Sequence, residues 1–190
     1  MSELPSVTRI LQAVGLAPDL SHVSPIALEH ARDRGRALHL AIQYHHEGAL
    51  DESSLHEEIV PGFGAYLAWA KLVGFEPIAS EVELIHPQWG YLGHPDCVGF
   101  HARGAFERTR LIVDFKYVAS FDKHYVRLQL AGYRMLWDAN HPEEPIHQVA
   151  GLHLKRDGTF AFYDVTDDDA RQTFLAAVVV YRALQKRGKA

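Results

Sequence analysis

The run Leu111-Ile112-Val113-Asp114-Phe115-Lys116 constrains this chain more than any other stretch. It is apolar on both faces up to its acid, as a strand is when helices cover both sides of its sheet. Its end is unusual for a purely structural strand. Strand side chains alternate with period two, so Asp114 and Lys116 point to the same side and deliver a carboxylate and an ammonium to one point. In isolation such a pair could be an ordinary surface ion pair that contributes little.

The stretch upstream makes the pair more informative. It reads E-V-E-L-I-H-P-Q-W-G-Y-L-G-H-P-D-C-V-G-F from Glu81 to Phe100. Glu81 and Asp96 fall on or beside two more short apolar runs that alternate like strands. Acids at strand ends of one hairpin-rich unit can converge, and converging carboxylates repel unless a cation joins them. Acids gathered around a cation, with a lysine beside them, are the equipment for metal-assisted cleavage of a phosphodiester.

The periodicity predicts strands over Ile78–Ile85, Tyr91–Phe100 and Leu111–Tyr117, with turns at His86–Gly90 and Ala102–Arg108. Before them come three helices. Ser6 caps a short one to Val14, stopped by Gly15. Ser24-Pro25 opens a long one to about Glu47. Gly62 to Val73 forms the third, closed by Gly74. Gly35 interrupts the long helix at a cost of about 1 kcal/mol relative to alanine, so close packing or close backbone approach is expected there. After the strands, a helix is expected from Asp122 to Asp138, then strands at Ile146–Leu154 and Phe160–Val165. Thr166 and Asp169 resemble a capping box before a last helix, Ala170–Gln185. With no internal repeat and no linker, residues 1–190 read as a single α/β domain with a mixed central sheet flanked by helices.

Composition narrows the chemistry. The net charge of −5 excludes a protein that binds nucleic acid by overall basicity, so any such contact needs a local cation patch. A single cysteine, Cys97, excludes a disulfide framework, a four-cysteine zinc site and a four-cysteine iron–sulfur cluster. The chain carries no P-loop, and its thirteen histidines form no H-E-x-x-H pattern. It lacks a signal-peptide core and any run of transmembrane length, which makes a reducing cytoplasm the expected compartment.

Five elements, taken in order, resemble the PD-(D/E)XK nuclease superfamily and its RecB-type and lambda-exonuclease-type branch of bacteria and phages. They are G-x-x-x-H at Gly35–His39, the acid of Ser80-Glu81-Val82, G-x-x-D at Gly93–Asp96, D-x-K at Asp114–Lys116, and Q-x-x-x-Y at Gln129–Tyr133. The resemblance covers nearly the whole chain and implies a restriction-endonuclease-like core of αβββαβ order. It implies Asp96, Asp114 and the Phe115 carbonyl as ligands of Mg²⁺ or Mn²⁺, with His39 as an added ligand from the long helix. It makes Lys116 the group that orients water and steadies the phosphate charge. Glu81 matches the upstream acid, with Glu83 as its rival, and Gln129 and Tyr133 would face the site. The chain departs from the pattern at Tyr117, where many relatives have threonine, and at His94-Pro95 inside the G-x-x-D element.

Simpler roles stand beside these. His39 could bond a backbone carbonyl, and Gln129 and Tyr133 could only pack their helix. Lys123, Arg127 and Arg134 fall near one face of that helix, which is either a solvated stripe or a phosphate track. Arg103, Arg108 and Arg110 are a weaker version of the same idea, and Trp89 and Tyr91, which flank the other turn, either stack on bases or, as the simpler reading, belong to the core. The resulting expectation is a Mg²⁺- or Mn²⁺-dependent DNA exonuclease in recombination, repair or phage DNA metabolism. A recombination protein or helicase in trans, or a homo-oligomer, could accompany it, but the sequence specifies neither. The alternatives are a structure-specific or restriction-like endonuclease, and a catalytically silent domain that binds nucleic acid or protein.

Overall fold

A computed structural model of the chain describes residues 4–103 and 107–187, with the side chains of 103 and 107 excepted. Within them lie five α-helices: α1 (Val7–Ala13), α2 (Pro25–His46), α3 (Val60–Val73), α4 (Lys123–Asn140) and α5 (Asp168–Arg187). The strands are β1 (Glu76–Ser80), β2 (Leu84–Ile85), β3 (Leu92–Gly93), β4 (Cys97–Arg103), β5 (Glu107–Lys116), β6 (Gln148–Leu154) and β7 (Phe160–Asp164).

A five-stranded mixed sheet has the order β1-β4-β5-β6-β7, and β2 and β3 form a separate antiparallel pair. β1, β4 and β5 meander antiparallel, α4 carries the chain across to β6, which lies parallel to β5, and β7 returns antiparallel. β5 is the middle strand, and Leu111 to Phe115 are all buried. Leu111, Val113 and Phe115 pack with Leu38 and Ile42 of α2 and Phe63, Tyr66 and Trp69 of α3. Ile112 packs with α1, α4 and α5 on the other face. Fully burying a leucine such as Leu128, Leu130 or Leu136 of α4 contributes about 1.5–3 kcal/mol, and that apolar face fixes α4 against the sheet.

The helix starts follow their caps. Ser6 accepts the Arg9 N–H, Ser24 the Ala27 N–H and Asp122 the Tyr125 N–H. Gly74, at φ 58°, ends α3 in the left-handed conformation that glycine adopts without steric cost. The expected capping box before α5 is not formed. The Thr166 hydroxyl instead accepts the Val149 N–H, and the Asp167 carboxylate accepts the Asp169 N–H at the helix start.

Two expected strands are each broken. Ile78–Ile85 divides into β1 and β2 at Glu81, whose φ of 52° is the only positive value among described non-glycine residues. Tyr91–Phe100 divides into β3 and β4 at His94–Asp96. The β4–β5 turn expected at Ala102–Arg108 crosses residues 104–106, outside the described residues. Tyr91 and Trp89 fall in or against the core, with the Tyr91 hydroxyl donating to the Gly132 carbonyl at 3.1 Å. No helix among the described residues is long and apolar enough to cross a membrane.

Candidate functional site

The breaks that interrupt the strands also bring the acids together. Glu81 leaves β1 through its left-handed backbone, and its N–H donates to the Asp96 carbonyl at 3.2 Å. A non-glycine residue in this region carries roughly 1–3 kcal/mol of strain, so neighbouring contacts must hold it there. Asp96 precedes β4, and its Oδ2 accepts the Phe115 N–H at 2.6 Å.

His39 reaches this point from α2. Its Nε2–H donates to the Phe115 carbonyl at 2.9 Å, which leaves Nδ1 facing inward. Nδ1 lies 3.6 Å from Glu81 Oε1 and 3.6 Å from Asp96 Oδ1. Ligand atoms of His39, Glu81 and Asp96 all lie within 4.8 Å of one another. Burial works to lower the His39 pKa, but the Asp96 charge and the Glu81 hydrogen bond outweigh it and raise it to about 9.

Asp114 and Lys116 lie beside this group. Asp114 is fully buried, and Lys116 Nζ lies 2.6 Å from its Oδ2. Its Oδ1 has no hydrogen-bond partner among the described residues. Burial lifts the Asp114 pKa to about 6, against the pull of Lys116. Burial also penalises the Lys116 ammonium, but Asp114 and then Asp96 hold its pKa above the usual lysine value. Asp114 is therefore not among the three residues whose ligand atoms gather, although it stands directly behind them with an uncompensated oxygen. The Phe115 carbonyl is present at the site and already accepts from His39.

On α4, Gln129 Nε2 donates to the Tyr133 hydroxyl at 3.1 Å. Burial, followed by the charges of Asp96 and Asp114, pushes the Tyr133 pKa well above 10, so the phenol stays protonated. A Cβ on Gly93 would come within 2.8 Å of the Tyr133 ring, so the glycine of G-x-x-D is what lets Tyr133 sit beside the acids. Tyr133 lines the cleft, whereas Gln129 is buried behind it.

The other expected positions separate. Glu83 is exposed and meets His94 Nε2 at 3.2 Å, away from the His39 group, so Glu81 is the acid at the site. Arg127 and Arg134 do not reach the cleft. Arg127 pairs with Asp167, and Arg134 lies 3.6 Å from Asp138 and 3.9 Å from Asp168, because α4 turns that face towards the acidic start of α5. Lys123 is exposed and also outside the cleft lining. Arg108 pairs with Glu76, and Arg110 lies 3.6 Å from Glu144.

The site forms the floor of a cleft of about 840 Å³. One wall is a face of α2: Leu28, Arg32, Gly35, Arg36, His39 and Leu40 recur at three- and four-residue spacing. Arg32 and Arg36 are thus cations at the site that no motif in the sequence singled out. Their spacing to His39 was the signal that could have found them. Gly35 lines the cleft with no atom within 4 Å of where its Cβ would stand, so the expected close packing is not there.

Comparison with known protein-family models and with curated proteins gave no match. The case for function therefore rests on the site. Its donors suit a divalent cation in three respects: carboxylates and an imidazole gather at one point, a buried carboxylate oxygen behind them lacks a partner, and the local field is negative enough to hold a proton on His39 to about pH 9.

Proposed function

We propose that this chain is a Mg²⁺- or Mn²⁺-dependent nuclease that hydrolyses DNA phosphodiester bonds, acting from strand ends as an exonuclease. The observation that carries the reading is the convergence of His39, Glu81 and Asp96 on one point beside the Asp114–Lys116 pair at the floor of a cleft. Glu81, Asp96 and His39 would hold the ion, with Asp114 adding its negative field from behind. When bound, the ion supplies Lewis-acid polarisation of the phosphate and neutralises charge on the leaving oxygen.

The protein's own groups do the rest. Lys116, held by Asp114 and only partly exposed, presents a fixed positive charge where the reacting phosphate gains negative charge. The Nε2–H bond to Phe115 keeps the His39 ring oriented with Nδ1 towards the acids. Tyr133 accepts from Gln129 and, being protonated, keeps a hydroxyl hydrogen to offer the cleft. The hydrogen bond from the Phe115 N–H to Asp96 fixes that carboxylate before any substrate arrives.

The test is incubation with labelled linear DNA, with and without Mn²⁺, beside covalently closed DNA. Loss of label from linear ends only, abolished in Glu81→Gln, is the expected result. Cleavage of closed circles would replace the exonuclease with an endonuclease. No cleavage of any DNA would leave a nuclease-like binding domain.

A further inference from the structure

We propose that the α2 wall of the cleft is a seat for a single nucleic-acid strand, with Gly35 as the point of closest backbone approach and Arg32 and Arg36 as phosphate contacts. The inference rests on the nuclease reading of the same cleft and adds which form of substrate enters it. Charge is sorted within the cleft. Among the described residues its only lining carboxylates are Glu81 and Asp96 at the floor, and Arg32, Arg36 and Lys116 are its lining arginines and lysine. The chain as a whole is acidic, so a cationic wall above an acidic floor is a local device. Arg32 has no carboxylate partner among the described residues, and Arg36 has only an exposed one, Asp33 at 3.1 Å.

Gly35 stands between the two arginines, one helical turn before His39. A glycine inside a helix costs about as much as losing a weak hydrogen bond, and here no atom packs on it to offset the loss. The space is open and faces the cleft, so what the missing side chain makes room for is not part of the folded chain. A sugar–phosphate backbone drawn between Arg32 and Arg36 fits that position.

The remaining lining favours an unpaired strand over a duplex. Leu20, Leu40 and Val118 are each more than two-fifths exposed, and all three line this cleft. Apolar side chains left open to water suit the faces of unstacked bases, which a duplex keeps buried within its own stack. A volume of 840 Å³ falls within the roughly 300–1,000 Å³ that accommodates a compact ligand, the scale of a few nucleotides.

The test uses the full chain, a fluorescent dT oligonucleotide in Ca²⁺, and the hybridised duplex of equal length. The single strand should bind more tightly than the duplex. Gly35→Leu should weaken binding about tenfold, the scale of one overpacked position. The Arg32→Ala/Arg36→Ala double variant should reduce the log–log salt slope by about 0.7 for each phosphate that is no longer neutralised. Gly35→Ala should raise the melting temperature while lowering affinity, a combination that a purely structural glycine does not give. Wild-type affinity in both Gly35→Leu and the arginine double variant would overturn the proposal. Tighter duplex binding, or a Gly35→Ala protein with lowered Tm, would overturn it too. A wild type that binds dT through this wall but cleaves no DNA would sink the nuclease reading alone, and one that cleaves DNA with the wall variants unaffected would sink only the strand seat.

Discussion

Two histidines on α2, seven positions apart, meet opposite surroundings. His39 faces Glu81 and Asp96, and its pKa is raised to about 9. His46 faces Ser80 Oγ at 2.6 Å and the Tyr66 hydroxyl at 2.5 Å, with Cys97 Sγ at 3.9 Å. Burial, with His45 nearby, depresses its pKa to about 4. The partners of the two rings are chain neighbours: Ser80 precedes Glu81, and Cys97 follows Asp96. Ser80 and Cys97 are paired across β1 and β4, so one step along each strand exchanges a neutral cluster for a charged one. Burial pushes the Cys97 pKa to about 12, so the neutral cluster offers no reactive thiol. The charged cluster has the features of chemistry and the neutral one those of support, and the difference lies in the neighbours rather than in the imidazole.

Substitutions should separate the two clusters, and the largest effect is expected at Lys116. Lys116→Ala should cost roughly 2–4 kcal/mol in kcat with DNA affinity little changed, because a fixed charge matters most where the transition state gains charge. Removing one member of a buried ion pair is normally destabilising, but burial already raises Asp114 towards protonation, and its neutral form tolerates the loss better. Single-turnover rates at saturating DNA check this. Wild-type cleavage by Lys116→Ala would remove the D-x-K element from the chemistry.

Next in size is the response to metal. An ion that binds only the folded protein stabilises it by about 2.7 kcal/mol at a hundred times its Kd. Mn²⁺ should therefore raise the Tm of the wild type and of Glu83→Gln, but not of Glu81→Gln or Asp96→Asn. An equal shift in all four proteins would put the ion elsewhere.

That pair of glutamates marks where the sequence stopped being readable. The D-x-K geometry followed from strand periodicity alone, and the caps Ser6 and Ser24 followed from local hydrogen bonding, whereas Asp122, expected as the first residue of its helix, is the cap before it. Glu81 and Glu83 share a face in an unbroken strand, but the chain turns at Glu81 itself, and no glycine, proline or asparagine there announces a positive φ. The stripe of Lys123, Arg127 and Arg134 was legible as a helix face. Its occupation by Asp167 and Asp168 was not, since those partners lie more than thirty residues away and meet α4 only when α5 packs beside it. The Thr166 cap failed for the same reason, its hydroxyl being taken by Val149 of a neighbouring strand. Gly35 stood out as a helix interruption, but sequence could not distinguish a glycine that packs from one that leaves space.

On the neutral side the expected loss is stability rather than rate. His46→Ala leaves the Tyr66 and Ser80 hydroxyls without their shared partner, at a cost of about 1–3 kcal/mol. Urea denaturation should record it, while kcat at saturating Mn²⁺ stays near the wild-type value. A fall in kcat as large as that of Lys116→Ala would join the two clusters into one functional unit.

The smallest effect, and the finest test of the comparison, is in pH. His46 is neutral when folded down to about pH 4, whereas the unfolded chain takes up the proton near 6.5. Its contribution to stability is therefore complete above pH 6.5 and lost as pH falls from there to about 4. His39 has the opposite sign in metal-free protein: its folded pKa is raised, so its contribution is complete below pH 6.5 and lost as pH rises through about 9. Asp114, with its pKa raised to about 6, loses stability as pH rises from its ordinary carboxylate value, and so opposes His46 over much of the same acid interval. The wild-type profile alone thus conceals the His46 contribution, and the useful quantity is the Tm difference between each variant and wild type, measured in EDTA from pH 4 to 9.5. The gap between wild type and His46→Gln should widen as pH rises from 4 to 6.5 and then stay constant. The gap between wild type and His39→Gln should stay constant to about 6.5 and close towards 9. Both rings are partly exposed, so solvent screening should make both changes shallower than the full shifts imply. If both gaps moved in the same direction with pH, the opposite surroundings of the two rings would have no thermodynamic consequence.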